Sequence, residues 1–161
     1  MPTNEAYKTH FDHLVDMEAH VGKELGLTDW VQIEQDRIDA FATATEDHQW
    51  IHTDPEMARQ LSPYKTTVAH GFLVLSLASK FTYDTYEVKD VGMGLNYGLD
   101  RVRFPNATPV GALIRGRITL LDYLKIPGGA RIKMKVVFEL KGEEKPACVA
   151  EIIGQAYTRP D

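Results

Sequence analysis

Gly71-Phe72-Leu73-Val74-Leu75-Ser76-Leu77-Ala78-Ser79-Lys80-Phe81 carries one charge and is apolar almost all round. A helix with that pattern is enclosed by protein on most sides, so the rest of the chain must supply its cover. The reading predicts a helix from Gly71 to about Thr82 or Tyr86, with unpaired backbone amides in its first turn. Cover is available after Asp90, where Met93 to Phe104, Ala112 to Tyr123, Ala130 to Lys141 and Pro146 to Tyr157 form four β-rich runs of period-two character. They are divided by Pro105-Asn106-Ala107-Thr108-Pro109-Val110-Gly111, Ile126-Pro127-Gly128-Gly129 and Gly142-Glu143-Glu144, and they predict an antiparallel meander.

Upstream of the helix, Val31-Gln32-Ile33-Glu34-Gln35 alternates as a fifth strand. Asp36 is placed to cap a helix carrying Ile38, Phe41 and Ala42 on one face. Thr53 or Asp54 caps another, with Pro55 at the first helical position, where a missing amide costs little. Tyr7, Phe11, Leu14, Val15 and Val21 recur at spacings of three and four, which predicts an amphipathic helix over about Asn4 to Lys23. The economical arrangement is an α+β hot-dog fold: a curved antiparallel sheet wrapped around a central apolar helix, with an extra N-terminal helix. Residues 1–25 are expected to be that helical extension and 26–161 a single domain.

With 161 residues, one domain of ordinary size is the default. Hydrophobic residues at 43% and charged residues at 25% are ordinary for a globular protein and exclude a largely disordered chain. A net charge of -5 gives no electrostatic reason to approach nucleic acid or an anionic membrane. The start has neither a basic segment nor an apolar one, and no apolar run approaches the roughly 20 residues that span a bilayer, so a cytoplasmic location is expected. The lone Cys148 lies in a strand-like stretch and is assigned no chemistry.

Chemistry concentrates in Glu46-Asp47-His48-Gln49-Trp50-Ile51-His52-Thr53-Asp54-Pro55 and in the Ala69-His70-Gly71 step that opens the apolar helix. A single bent turn between Asp47 and His52 points a carboxylate and an imidazole into one pocket walled by Trp50 and Ile51, and such a pair can activate water. The bland alternative is a capping carboxylate and a surface imidazole. His48 and His52 also have the i, i+4 spacing of a metal pair, with Asp47 or Asp54 as third ligand. Gln49-Trp50 and Pro55 argue against the continuous helix that such a pair needs, and no metal is expected. His10, His13 and His20 are read as solvated histidines of the first helix. His70 is read as holding the loop before Gly71 or lining the pocket.

Phe41 to Pro55, followed by Val68-Ala69-His70-Gly71-Phe72, resembles the hydratase-2 motif of the MaoC-like dehydratase family, most nearly its nodulation-protein-N-like branch. The resemblance runs from about Gly26 to Tyr157 and includes Asn96 to Pro105 and Pro109-Val110-Gly111. It implies a hot-dog fold, a homodimer, and R-specific, reversible hydration of trans-2-enoyl thioesters of coenzyme A or acyl carrier protein. Carried over residue by residue, it implies Asp47 and His52 as the catalytic pair and the Gly71 amide as donor to the thioester oxygen. Glu46 stands where the pattern has glycine, and Gln49-Trp50 where it has asparagine and proline. Gln49 is expected to help position Asp47, and Trp50, His70, Phe72 and Tyr97 to contact substrate. No cofactor is implied, because coenzyme A enters only as part of the substrate. A hot-dog thioesterase and a non-catalytic acyl-thioester-binding module are the competing readings, separated by thiol release and by lack of turnover respectively.

Arg101, Arg103, Arg115, Arg117, Arg131, Lys133 and Lys135 alternate along three of the expected strands. They read as the solvated outer face of the sheet, or as a dock for the phosphates of coenzyme A or an acidic carrier.

Overall fold

A computed structural model describes residues 3–160. Among these, the strands are β1 (Tyr7–Phe11), β2 (Glu24–Leu27), β3 (Val31–Gln32), β4 (Tyr86–Val88), β5 (Val91–Arg103), β6 (Leu113–Ile126), β7 (Gly129–Leu140) and β8 (Cys148–Thr158). The helices are α1 (Gln35–Thr45), α2 (Trp50–Thr53), α3 (Pro55–Leu61), α4 (Gly71–Ser76) and α5 (Ala78–Thr85). One sheet runs β4-β1-β2-β6-β7-β8-β5, with β3 also paired to β6. It curves around α4–α5, and this is the expected hot-dog arrangement.

Period two explains the long strands. Along β7, Ala130, Ile132, Met134, Val136, Phe138 and Leu140 point inward and are buried, while the residues between them face out. Their partners across the core are Leu73, Val74, Ala78 and Phe81 of the helical layer. Gly116 lies under Phe81, and a Cβ there would overlap the ring. Gly116→Ala should therefore destabilise the fold by about 1–3 kcal/mol in urea unfolding, the usual range for an overpacked core.

The central helix is less uniform than its composition suggested. Leu77 ends α4 and precedes α5, and the outer face is uncovered: Phe72 is 72% and Tyr83 76% exposed in the single chain. Nor is the sheet a plain meander. β6, β7 and β8 follow one another, but β5 pairs with β8 at the far edge, and β1 pairs with β4 in parallel. The connection from β5 to β6 therefore crosses the sheet, and it meets the residues before α4: Ala69 N–H donates to Thr108 O at 2.8 Å, and Val110 N–H to Thr67 O at 3.0 Å.

The expected N-terminal helix is corrected. Residues 7–11 form β1, residues 14–20 a 3-10 helix, and residues 24–27 β2. Tyr7 and Phe11, four apart, satisfy a period of two as well as one of 3.6, and the Tyr-Lys-Thr-His-Phe composition suits a strand once β2 and β4 offer backbone partners. Residues 1–25 are thus no separate helical extension, since β1 and β2 belong to the one sheet. His10 lies on β1, facing Glu87, instead of on a helix. The strand expected to reach Gln35 stops at Gln32, and α1 opens at Gln35 with Glu34, not Asp36, at its N-cap. Asp54 does cap α3, accepting from Met57 N–H at 2.9 Å, with Pro55 first in the helix.

Of the seven basic residues that alternate along the expected strands, Arg115, Arg117 and Lys133 are paired with carboxylates within the sheet. Glu139 takes Arg115 at 2.6 Å and Arg117 at 2.7 Å, Arg117 also meets Glu24 at 2.9 Å, and Lys133 bridges Asp100 and Glu151. Arg131 lies over the Tyr97 ring, 4.0 Å from its centroid. Cys148 is fully buried and its thiol is pushed up to about 12 by burial, which keeps it from acting as a nucleophile.

Candidate active site

Two segments distant in sequence build the site. The first leaves α1 through Glu46, whose φ of 62° and ψ of 18° put it in the left-handed region, so that Asp47 turns back toward the molecule. That conformation disfavours a side chain by about 1–2 kcal/mol, whereas glycine carries only an extra entropic cost of about 0.5–1 kcal/mol. Glu46→Gly should raise stability by roughly 0.5–1 kcal/mol in urea titration and leave turnover unchanged. The second segment is the Thr67–His70 connector, pinned by the crossing between β5 and β6.

Between them stands His52, on the single turn of α2. Its Nδ1 lies 2.6 Å from the Val68 carbonyl. A carbonyl only accepts, so Nδ1 carries the proton and Nε2 keeps a free lone pair. Burial holds this imidazole below its ordinary pKa, and the neighbouring His70 acts in the same direction, against the Val68 carbonyl and Asp47. A neutral ring with a bare Nε2 is the form that can take a proton. Its backbone is fixed as well: Gln35 donates from Nε2 to His52 O at 2.7 Å while accepting from the Thr67 hydroxyl.

Asp47 is exposed, and its Oδ1 accepts from the Gln49 backbone amide at 3.4 Å. The expected help from Gln49 therefore comes from its main chain, which also accepts from His52 N–H at 2.9 Å. One side-chain ligand atom each of Asp47, His52 and His70 lie within 4.8 Å of one another. The pair anticipated from sequence is thus brought together. His70, read as holding the loop before Gly71 or as lining the pocket, is buried, 2% exposed, with its Nε2 3.0 Å from the Asp47 carbonyl, as the first of those readings expects.

Gly71 opens α4 directly after His70, and the Phe104 ring comes to 3.3 Å of where its Cβ would be. The remaining expected contacts are spread out. Trp50, half-buried, is the first residue of α2, and Phe72 projects from the first turn of α4. Tyr97 stands apart, on a groove of about 770 Å³ between the outer face of α4–α5 and β5. Leu75, Ala78 and Tyr83 line one side of this groove and Leu95 and Leu99 the other. It begins one turn of helix beyond Gly71 and includes neither Trp50 nor Phe72. Gln35, Thr67, Val68 and Phe104 are given no role by the sequence, although Val68 and Phe104 lie in the stretches that carry the resemblance, since each acts through a tertiary contact or a backbone atom.

Fold and site together define a class. Residues 16–143 match the family described as MaoC like domain, and the chain belongs to that family. Within it, the chain is 42% identical over 144 residues to 3-hydroxyacyl-thioester dehydratase Z of Mycobacterium tuberculosis, covering 89% of this chain and 95% of that one. It is 41% identical over 143 residues to nodulation protein N of Rhizobium leguminosarum bv. viciae, covering 87% and 88%. Among solved structures, the unliganded R-hydratase of Pseudomonas aeruginosa shares the fold, with a TM-score of 0.67 at 19% identity over 86% of this chain and 83% of that one.

Proposed function

We propose that this protein is a 3-hydroxyacyl-thioester dehydratase that also runs in reverse, adding water to trans-2-enoyl thioesters with R stereochemistry. The observation that carries the reading is the His52 Nδ1 to Val68 O bond, which leaves Nε2 with a free lone pair on a ring clustered with the Asp47 carboxylate and with His70, the residue before Gly71. The named relative of Mycobacterium tuberculosis supports it.

In the hydration direction, a water lies between His52 Nε2 and the Asp47 carboxylate. Nε2 accepts one water proton as the oxygen bonds to C3 of the enoyl group, and Asp47 accepts a hydrogen bond from the other hydrogen and balances the imidazolium. Electron density moves to the thioester oxygen, where the Gly71 amide donates a hydrogen bond. The proton held by His52 then passes to C2, so one water is consumed and both groups return to their starting forms. The scheme draws on no metal or organic cofactor, and coenzyme A or an acyl carrier protein enters as the substrate's thiol. The same reading sets the reaction in the cytoplasm.

The test is loss of the conjugated-thioester absorbance when purified protein meets crotonyl-CoA, followed by chiral analysis of the product. Formation of R-3-hydroxybutyryl-CoA supports the reading. Release of free thiol without hydration points to a thioesterase, and binding without turnover of short, medium or long enoyl chains points to a binding module.

The proposal includes a homodimer. β5 is a long edge strand exposing Met93, Leu95, Tyr97 and Leu99, and it faces the uncovered side of α4–α5 across the groove. An exposed, apolar edge of that length is a template for another chain. Light scattering at micromolar concentration should give twice the 18.1 kDa chain mass, and Leu95→Lys with Leu99→Lys should halve it. A wild-type monomer would count against the dimer.

A further inference from the structure

We propose that His70 is a positioning residue that locks Asp47 and His52 into one register; the proposal rests on the hydratase reading above. A single buried imidazole touches both groups. Its Nε2 lies 3.0 Å from the Asp47 backbone carbonyl, 23 residues back along the chain, and so must be the protonated nitrogen. Its ring stacks on that of His52, with centroids 3.8 Å apart and planes 26° from parallel. Phe41 backs it at 5.0 Å.

The remaining ring atom supports a role beyond filling space. His70 Nδ1 is buried with no hydrogen-bond partner among the described residues. Unmet buried polar atoms are rare because each lowers stability, and a Leu or Phe would fill the site without one. The two features an apolar residue could not supply together are the N–H toward Asp47 and the flat polar face against His52. Little else holds Asp47: its predecessor Glu46 is in a left-handed conformation, and its carboxylate has only a long bond to the Gln49 amide.

The connector makes the coupling rigid. Val68 grips His52 at Nδ1, and His70 two residues later covers its face while holding Asp47. Both grips hang on the Thr67–His70 stretch tied to Thr108 and Val110. A displacement of about 1 Å between reacting groups is enough to lose much of a rate enhancement, so one connector setting both positions is a means of control.

Asp47, His52 and His70 also have the composition of a two-histidine, one-carboxylate metal set. Their geometry opposes it. Near-parallel stacked rings send their lone pairs side by side, whereas a bound ion needs them to converge on one point about 2 Å from each nitrogen.

Two variants separate the N–H from the ring. His70→Gln keeps a donor near the Nε2 position and loses the stack, and His70→Phe keeps a flat ring and loses the donor. Each is compared with wild type by thermal melting, by crotonyl-CoA kinetics, and by nitrogen NMR of the His52 ring in protein labelled at histidine nitrogens. Both should fold. His70→Phe should lower kcat about tenfold or more while KM stays within about twofold, and His70→Gln should recover part of that loss. The His52 signals should show an Nδ1–H tautomer in wild type and a mixed or shifted state in His70→Phe.

A folded His70→Phe with unchanged kcat and unchanged His52 signals would overturn the proposal. So would activity that falls only in step with melting temperature, or the unfolding of both variants, since each assigns His70 to packing alone. The NMR readout needs no turnover. If the wild type hydrates nothing, the hydratase reading fails while perturbed His52 signals in His70→Phe still support the positioning role.

Discussion

His52→Gln should lower kcat for crotonyl-CoA hydration by about 10²–10⁴-fold, the usual contribution of a general acid-base group. The glutamine amide reaches the place of Nε2 but has no lone pair that can take and return a proton near neutral pH. Asp47→Asn should fall in the same range, because the neutral amide neither aligns the water as an acceptor nor balances the imidazolium. The two act as a unit, so the double variant should be little worse than the poorer single one. Steady-state rates with a folding check by circular dichroism decide the matter, and a single variant retaining wild-type kcat removes that residue from the mechanism.

The same histidine sets a pH dependence. Its folded pKa lies below 6.5, chiefly through burial. The unfolded chain therefore takes up the His52 proton at a higher pH than the folded one does. The stability associated with the neutral ring is fully present above pH 6.5 and is lost as pH falls through 6.5 toward the folded value. The acid limb of kcat/KM should lie below pH 6.5 and disappear in His52→Gln. An acid limb above pH 6.5 would mean that another group is titrating.

The second large effect is expected at Gly71. Gly71→Pro removes one amide hydrogen at the first position of α4, where proline is tolerated, and the preceding His70 already has the extended conformation that proline favours, with φ -59° and ψ 138°. Loss of one oxyanion donor should lower kcat by about 10²–10³-fold with little change in melting temperature. Gly71→Ala is the control: its Cβ meets the Phe104 ring at 3.3 Å, and half-exposed Phe104 can yield, so the amide stays and most of the rate with it. Equal rates for the Pro and Ala variants would show that the Gly71 amide does not bind the developing charge.

Local pattern was reliable wherever one physical period had no competitor. Strands β5 to β8 were readable because their alternation runs through about a dozen residues, and α3 because a capping residue, Thr53 or Asp54, before Pro55 marks a helix start to within one position. At Tyr7 and Phe11 the pattern misled, since a spacing of four fits both periods and the choice fell to the backbone partners in β2 and β4. The site divides in the same way. Asp47 and His52 stand out as a carboxylate and an imidazole five residues apart, and Gly71 through the family resemblance, whereas Gln35, Val68 and Phe104 act through tertiary contacts that their residue types do not announce.

The chain by itself determined the class of fold and the apolar helix and singled out Asp47 and His52 as the candidate pair, because side-chain identity and periodicity are local properties. Tertiary structure decided how the two histidines are held. In the sequence His52 is the candidate acid or base and His70 a loop support or pocket residue, and neither reading fixes a tautomer. Only packing buries His70 behind the pair and turns His52 Nδ1 onto the Val68 carbonyl, and a proton's place on an imidazole is set by what each nitrogen faces.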